Sequence, residues 1–193
     1  MTRTTALVLG TLLFGLTTLQ PATSAQGAWT TMFDGKSLNG WNIVGDANWE
    51  VVDKAVQANK GSGFLVTPIS YGDFQFTAEF WVSDDANSGV FLRCQDPKAI
   101  TQTNAYEVNI FDRRPDQTYR TGGVVDVAKP ASVIMTGGKW NTFDITARGT
   151  KLTVILNGTK MVDVDDSKHA RGPIALQYGA GTVKFRNVRV RTL

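Results

Sequence analysis

The chain has 193 residues, 20 basic and 17 acidic side chains, and a formal charge of +3 at pH 7. The basic residues are dispersed and form no run that would follow a phosphate backbone, which argues against a nucleic-acid-binding protein. Cys94 is the single cysteine, so an internal disulfide is excluded and the fold must depend on its core. We expect Cys94 to be a small buried side chain rather than a nucleophile.

The first 25 residues have the pattern of a secretory signal peptide. Arg3 precedes an apolar run over residues 6–16, and small residues follow up to Ala25. The apolar run is too short to span a bilayer, so we expect cleavage after Ala25 and no membrane insertion of the mature chain. The prediction is an exported protein, periplasmic or secreted, with a single domain over residues 26–193. Loss of Arg3 would lower the formal charge from +3 to +2.

The mature chain is predicted to consist of strands, because apolar residues alternate with polar ones in short runs separated by Gly, Asn, Asp or Pro. The predicted strands cover residues 41–44, 49–52, 55–58, 63–67, 73–82, 88–95, 105–111, 122–127, 141–148, 151–157, 160–162, 173–178 and 182–190. Asn157-Gly158 predicts a tight hairpin turn. More than ten strands without a helical pattern indicate an all-β fold, with two antiparallel sheets packed face to face as a jelly-roll sandwich.

Two of these strands carry charged side chains within an apolar pattern. In residues 87–93, the alternation places Arg93 on the face opposite the apolar side chains. In residues 106–112, it places Glu107 and Asn109 on the polar face. If the two polar faces coincide, an arginine and a carboxylate lie side by side on a binding or catalytic surface. The alternative is a salt bridge on an exposed sheet face.

Other polar side chains are predicted to share this concave surface. Glu79 and Trp81 alternate with the apolar residues of the 73–82 strand, and Gln95 and Gln177 belong to two further strands. Carboxylates and amides bind sugar hydroxyls, and an aromatic ring packs against the C–H face of a sugar. We therefore expect this surface to bind a carbohydrate.

Seven blocks of the sequence together have a recognisable order. They are residues 33–41, 87–93, 106–112, 140–141, 156–158, 172–177 and 183–188. The set, which extends over about residues 30–193, resembles the 3-keto-disaccharide hydrolase domain family. The resemblance implies a concanavalin A-like, laminin G-like jelly roll, bacterial export, and action on glycosides already oxidised to a ketone at C3 of the sugar.

Two positions depart from the family pattern. The family commonly has Gln where this chain has Asn109, and an aromatic residue in the block that here contains Val125. The loss of that aromatic side chain would remove a stacking platform or a proton donor. Asp126, which follows in the same block, is retained.

The implied chemistry is an elimination. A ketone at C3 acidifies the proton on C2, so one base can remove this proton and the enolate can expel the aglycone from C1 before water adds. Our hypothesis assigns Glu107 as the base and Arg93 as the group that stabilises the oxygen at C3. Glu79 or Asp112 would act as the acid or accept a hydrogen bond from a sugar hydroxyl.

The remaining candidates would bind the substrate. Asn109, Gln177 and Trp81 would hold the sugar ring, and Gln95 and Asp126 complete the predicted polar surface. His169, the single histidine, lies in a polar turn and is either an acid or base at the sheet rim or a solvated loop residue.

Three alternatives stay open. A divalent metal ion held by Glu79, Glu107, Asp112 and Asp126 would polarise the ketone. A non-catalytic carbohydrate-binding module would bind the sugar without altering it, because fold alone does not determine function. An ordinary glycosidase would need two carboxylates facing each other across a cleft.

Overall fold

The structure is a computed structural model that describes residues 1–2 and 27–193. The predicted signal peptide, residues 1–25, lies outside the described residues except for its first two positions. Within the described part there are thirteen strands and one turn of 3-10 helix at Gln117–Tyr119. No helix in this part is long and apolar enough to cross a membrane.

The strands follow the order in which the sequence pattern predicts them, with one short addition at the start. They are β1 (Thr30–Thr31), β2 (Asn42–Gly45), β3 (Glu50–Val52), β4 (Ala55–Ala58), β5 (Gly63–Val66), β6 (Phe74–Val82), β7 (Asn87–Leu92), β8 (Tyr106–Ile110), β9 (Trp140–Arg148), β10 (Lys151–Leu156), β11 (Thr159–Asp165), β12 (Ala175–Ala180) and β13 (Val183–Thr192).

The strands form two antiparallel sheets. The eight-stranded sheet has the order β11-β10-β9-β6-β13-β4-β3, with β1 paired to β13, and the five-stranded sheet has the order β2-β5-β12-β7-β8. The predicted two-sheet jelly-roll sandwich is therefore confirmed. The hairpin between β10 and β11 is also confirmed, since Asn157 and Gly158 have φ angles of 51° and 79° and join the paired residues Leu156 and Thr159.

The core lies between the two sheets and is dominated by phenylalanines. Phe74, Phe76 and Phe80 occupy alternate positions of β6 and are fully buried with Phe143 and Phe185, as the alternation in residues 73–82 predicts. Burying each of these rings contributes roughly 2 kcal/mol or more. Because β6 and its neighbours bury one face each, the polar alternates of these strands lie on the outside of the sandwich.

A second, smaller apolar cluster covers part of the outer face of the five-stranded sheet. It joins Val66, Phe91 and Ala175 of the strands to Cys94 and Ile100 of the β7–β8 loop. This loop therefore folds back over the sheet and shields the strands from solvent. Cys94 is 2% exposed, which confirms the prediction of a buried side chain, and this burial raises the pKa of its thiol to about 12.

The segment 122–127, predicted as a strand, instead runs as an irregular extension along the edge of β8. Three backbone hydrogen bonds attach it, from Asn109 N to Gly123 O (2.9 Å), from Gly122 N to Asn109 O (2.9 Å), and from Val125 N to Glu107 O (3.0 Å). Gly122 and Asp126 have positive φ angles of 86° and 59°, which interrupt the extended conformation. The free edge of the five-stranded sheet at β8 is thereby covered.

Candidate functional site

The outer face of the five-stranded sheet presents two rows of side chains that cross all five strands. Directly opposed residues of antiparallel strands point to the same face, so the register defines each row. The first row is Val44, Phe64, Gln177, Gly89 and Asn109, and the second is Asn42, Val66, Ala175, Phe91 and Glu107. Glu107, Asn109 and Gln177 are therefore on one surface, as the sequence predicts.

Gly89 leaves a gap in the first row between Gln177 and Asn109. A Cβ atom at this position would lie 3.4 Å from Glu107 Cγ, 3.4 Å from a ring carbon of Phe91 and 3.2 Å from the Val108 carbonyl oxygen. The backbone of β7 therefore lies directly beside the glutamate, with no side chain between Gln177 and Asn109. We call this part of the sheet face the cup and define it by Gly89, Phe91, Glu107, Asn109 and Gln177.

Glu107 is the titratable group of the cup. It is 8% exposed, and burial raises the pKa of its carboxyl to about 7, with the negative charge of Asp126 acting in the same direction and the positive charge of Arg114 opposing both. Its carboxyl accepts no hydrogen bond from other residues of the described chain. A carboxyl whose pKa lies near neutrality, with no protein partner, is suited to take up a proton from a ligand.

Two amide oxygens of the cup are also free. Asn109 Oδ1 and Gln177 Oε1 are buried and have no hydrogen-bond partner within residues 27–193. The Asn109 amide nitrogen donates to the Tyr119 carbonyl, which fixes the orientation of that side chain. An unpaired buried polar atom costs about 1–3 kcal/mol. A ligand with hydroxyl groups would supply the missing donor at Gln177, which is partly exposed and lines a pocket, and would reach Asn109, which is 0% exposed, only after movement of the residues that cover it.

The prediction that Arg93 lies beside Glu107 is wrong. Arg93 has a φ of 54°, so the strand alternation ends there and the side chain turns towards the end of the sandwich. Its guanidinium donates to the carbonyls of Gly72 (3.0 Å), Gly149 (2.9 Å) and His169 (3.0 Å), and to Asp73 Oδ1 at 3.3 Å. Arg93 is 2% exposed, and its partners give it a structural role.

The positive charge near Glu107 belongs to Arg114, which the sequence analysis does not identify. Arg114 lies in the irregular segment after β8, where no alternation indicates the direction of a side chain. The short distance in sequence from Glu107 is the only signal that could have suggested it.

Glu79 and Trp81 are not part of the cup, and their predicted place on the same surface is also wrong. β6 belongs to the eight-stranded sheet, so its polar side chains lie on the opposite outside of the sandwich. Glu79 accepts hydrogen bonds from Arg186 Nε (2.7 Å) and Asn187 Nδ2 (2.6 Å). The Lys184 ammonium lies 5.1 Å from the centre of the Trp81 ring.

Asp112 has structural partners in place of a substrate. Its buried carboxylate accepts hydrogen bonds from Thr121 Oγ1 (2.6 Å), from Thr136 N and Oγ1 (2.6 and 3.0 Å) and from Gly137 N (3.2 Å). Asp112 therefore holds two loops together, and the predicted role as an acid is withdrawn.

Gln95 likewise makes structural contacts. Its amide nitrogen donates to the carbonyls of Arg93 (2.7 Å) and Arg171 (2.9 Å), which holds the start of the β7–β8 loop. The predicted role in substrate binding is not supported by these contacts.

His169 and Asp126 border a separate pocket of about 170 Å³, together with Tyr106 and Lys168. The backbone N–H of His169 donates to the Tyr106 hydroxyl at 3.1 Å, and burial lowers the pKa of the imidazole. Asp126 is exposed, but it is close enough to Glu107 to raise the pKa of that carboxyl. Of these two predicted residues, only Asp126 affects the cup, through its effect on the pKa of Glu107.

The four carboxylates suggested as metal ligands are not assembled. Glu79 lies on the other sheet and Asp112 is engaged with two loops, so only Glu107 and Asp126 are near each other. Among residues 1–2 and 27–193, no group of three or more His, Cys, Asp or Glu side chains is arranged to hold a metal ion.

Solved structures with the same fold include several carbohydrate-active proteins. A Parabacteroides distasonis protein provisionally classed as a glycosyl hydrolase is 22% identical, with a TM-score of 0.78 and 86% of this chain and 94% of that chain covered. A second such protein from that organism is 25% identical, with a TM-score of 0.75 and coverages of 86% and 100%. The carbohydrate-binding module CBM66 from Bacillus subtilis is 19% identical, with a TM-score of 0.63 and coverages of 77% and 93%.

No curated protein matches the sequence. A family model, however, matches residues 28–191 and is described as a 3-keto-alpha-glucoside-1,2-lyase-like domain. The match includes both sheets and every residue of the cup, and it agrees with the resemblance carried by the seven sequence blocks. The chain therefore belongs to the family of 3-keto-alpha-glucoside-1,2-lyase-like domains.

Proposed function

We propose that the protein is an enzyme that cleaves glycosides carrying a ketone at C3, with Glu107 as the base. The single observation that carries the proposal is the environment of Glu107, a buried carboxyl with a pKa of about 7 beside the gap at Gly89. A base works best when its pKa is close to the working pH. The family match supplies the substrate class, and the carbohydrate-active proteins among the similar structures agree with a sugar ligand.

The proposed reaction needs one proton acceptor. Glu107 takes the proton from C2, and the electrons of that C–H bond form an enolate with its charge on the oxygen at C3. The enolate restores the C3 ketone, forms a double bond between C1 and C2, and breaks the bond from C1 to the aglycone oxygen. The aglycone leaves with that electron pair and takes up a proton. Addition of water across C1 and C2 then completes a net hydrolysis.

Arg114 replaces Arg93 as the candidate for stabilising the enolate oxygen, because its positive charge already acts on Glu107. The free oxygens of Asn109 and Gln177 would accept hydrogen bonds from hydroxyl groups of the sugar ring. Phe91, opposite Glu107 in the second row, supports the glutamate from the apolar cluster under the β7–β8 loop and, at 2% exposed, does not replace Trp81 as a stacking surface.

The alternative function is a carbohydrate-binding module that performs no reaction. The two free amide oxygens favour it, since they would bind hydroxyl groups whether or not a bond is cleaved. A passive binder, however, has no need for a carboxyl held at a pKa of about 7. We also propose that the protein is exported, on the basis of the predicted signal peptide.

The experiment that tests the proposal compares a 3-keto-disaccharide with its unoxidised parent. We expect the purified mature protein to cleave only the oxidised compound, and in D₂O to exchange the hydrogen at C2 for deuterium. Cleavage of the unoxidised parent would indicate an ordinary glycosidase. Binding of either compound without cleavage or exchange would indicate a module.

Gly89→Ala tests whether the gap is the place where the sugar binds. The new methyl group would lie 3.4 Å from Glu107 Cγ and would fill the floor of the cup. We expect kcat/KM for a 3-keto-disaccharide to fall roughly tenfold, since misplacing a substrate by about 1 Å has effects of this order or larger. Steady-state kinetics measure the change in kcat/KM, and a thermal melt measures whether the variant remains folded.

Gly72→Ala is the matched control for this substitution. The nearest atom to a Cβ at position 72 is 4.0 Å away, and Gly72 lies outside the cup, beside Arg93 at the end of the sandwich. Unchanged kinetics of Gly89→Ala in a folded protein would contradict the assignment of the cup as the sugar site.

A further inference from the structure

A pocket of about 290 Å³ lies next to the cup on the outer face of the five-stranded sheet. Val44 and Phe64 form one wall, Ile100 of the β7–β8 loop lies over them, and the exposed Lys98 is at the mouth. Gln177 lines the pocket and also belongs to the cup. The pocket and the cup are therefore neighbours that share one side chain.

The register shows how one ligand would occupy both cavities. Val44, Phe64, Gln177, Gly89 and Asn109 form a single row across the sheet. Adjacent strands are about 4.8 Å apart, so Phe64 and Asn109, which are three strands apart, are separated by roughly 14 Å. This distance suits a sugar ring over Gly89 that is followed by one further ring over Phe64.

We propose that this pocket binds the aglycone and that it selects an aromatic one. The inference rests on the proposed function, because it takes the sugar to be held in the cup. The pocket walls from Val44, Phe64 and Ile100 are apolar, and Phe64 is held edge-on by Phe91, with ring centres 5.2 Å apart. A fixed aromatic ring favours a second ring packed against it.

The charge at the mouth fits the leaving group of an aryl glycoside. When the bond from C1 to the aglycone oxygen breaks, the electron pair goes to that oxygen and a phenolate departs. The ammonium of Lys98 supplies a positive charge for this oxygen. Tyr178, another lining residue, already donates its hydroxyl proton to the Gly181 carbonyl at 3.0 Å, which leaves Lys98 as the charged group available to the aglycone.

The experiment measures binding separately from reactivity, because aryl groups also leave more readily. In the Glu107→Gln protein, calorimetry compares the 3-keto forms of phenyl glucoside and methyl glucoside. We expect the phenyl compound to bind roughly tenfold more tightly, the gain that burial of one aromatic ring provides. Adding Phe64→Ala should reduce this preference to about twofold or less.

Ile43→Ala is the matched control, since Ile43 is exposed, adjoins Val44 in sequence and does not line the pocket. It should leave the preference for the phenyl compound unchanged. If Phe64→Ala does not fold, Phe64→Leu retains the apolar contact with Phe91 and should reduce the preference about threefold.

Three results would overturn the inference. Equal affinity for the two compounds in Glu107→Gln would show that the pocket does not select an aromatic aglycone. A preference that survives substitution of Phe64 would place the aglycone elsewhere. If the parent enzyme cleaves no 3-keto-glycoside and Glu107→Gln binds none, the proposed function fails and this inference fails with it. If the parent enzyme cleaves both compounds and Glu107→Gln binds them with equal affinity, the proposed function stands and only the aglycone pocket is overturned.

Discussion

Replacing Glu107 with Gln is expected to lower kcat/KM for a 3-keto-glycoside roughly 1,000-fold, because an amide cannot take the proton from C2 and general bases contribute effects of this order. The parent enzyme should show a kcat/KM that rises with pH through about 7, as the carboxylate form of Glu107 becomes populated. A Glu107→Gln protein that folds and retains the parent rate would remove Glu107 from the mechanism.

The same substitution is expected to stabilise the protein at alkaline pH. The pKa of Glu107 is about 7 in the folded chain against an ordinary value of 4.5, so between these values the folded state binds more protons than the unfolded state. The free energy of unfolding therefore falls as the pH rises from about 4.5 through 7, and at a pH above both pKa values the loss reaches about 3 kcal/mol. The Glu107→Gln protein does not lose this free energy, because its amide does not ionise.

Thermal melts between pH 4 and pH 8 measure this effect. The difference in Tm between Glu107→Gln and the parent should be near zero at the acidic end and several degrees at pH 8. Glu50→Gln, at the exposed first residue of β3, is the control for loss of a surface carboxyl. An equal gain in Tm at every pH would mean that ionisation of Glu107 is not the cause.

Arg93→Ala is expected to destabilise the fold by roughly 3–5 kcal/mol, because three carbonyl groups lose their donor and each unpaired buried polar group costs about 1–3 kcal/mol. The substitution leaves the carbonyls of Gly72, Gly149 and His169 without their donor and Asp73 without its ion-pair partner. Total stabilities of small proteins are about 5–15 kcal/mol, so this is a large fraction. Urea unfolding of the parent and the variant gives the difference.

Activity measurements on Arg93→Ala distinguish a structural role from a catalytic one. Measured at low temperature on the folded fraction, kcat should remain within about twofold of the parent, because the hydrogen-bond partners of Arg93 all lie outside the cup. Arg113→Ala is the control, since the ion pair of Arg113 with Asp84 is exposed and worth at most about 1 kcal/mol. A fully folded Arg93→Ala protein without activity would restore Arg93 to the mechanism.

The strands and their faces were predictable because they depend on local alternation. The buried phenylalanines of β6 and the turn at Asn157 and Gly158 follow directly from residue type and spacing. The set of Glu107, Asn109 and Gln177 also follows, since their strands happen to belong to one sheet.

The errors have two physical causes. Alternation shows which side chains of one strand share a face, but the pairing that puts Glu79 and Glu107 on different sheets depends on contacts far apart in sequence. Arg93 was misplaced because its own positive φ ends the alternation, and an arginine gives no indication in the sequence that it adopts this conformation. Arg114 was missed because it belongs to an irregular segment.

The extension along the edge of β8 is attached to the sheet through main-chain atoms. Since its hydrogen bonds involve Gly122, Gly123 and Val125 through N–H and C=O groups alone, another apolar or aromatic side chain at position 125, which is buried here, would leave this attachment in place. The backbone N–H of Val125 donates to the Glu107 carbonyl, so position 125 adjoins the base. Evolution can therefore alter the surroundings of the base at this position while the scaffold and the base stay the same.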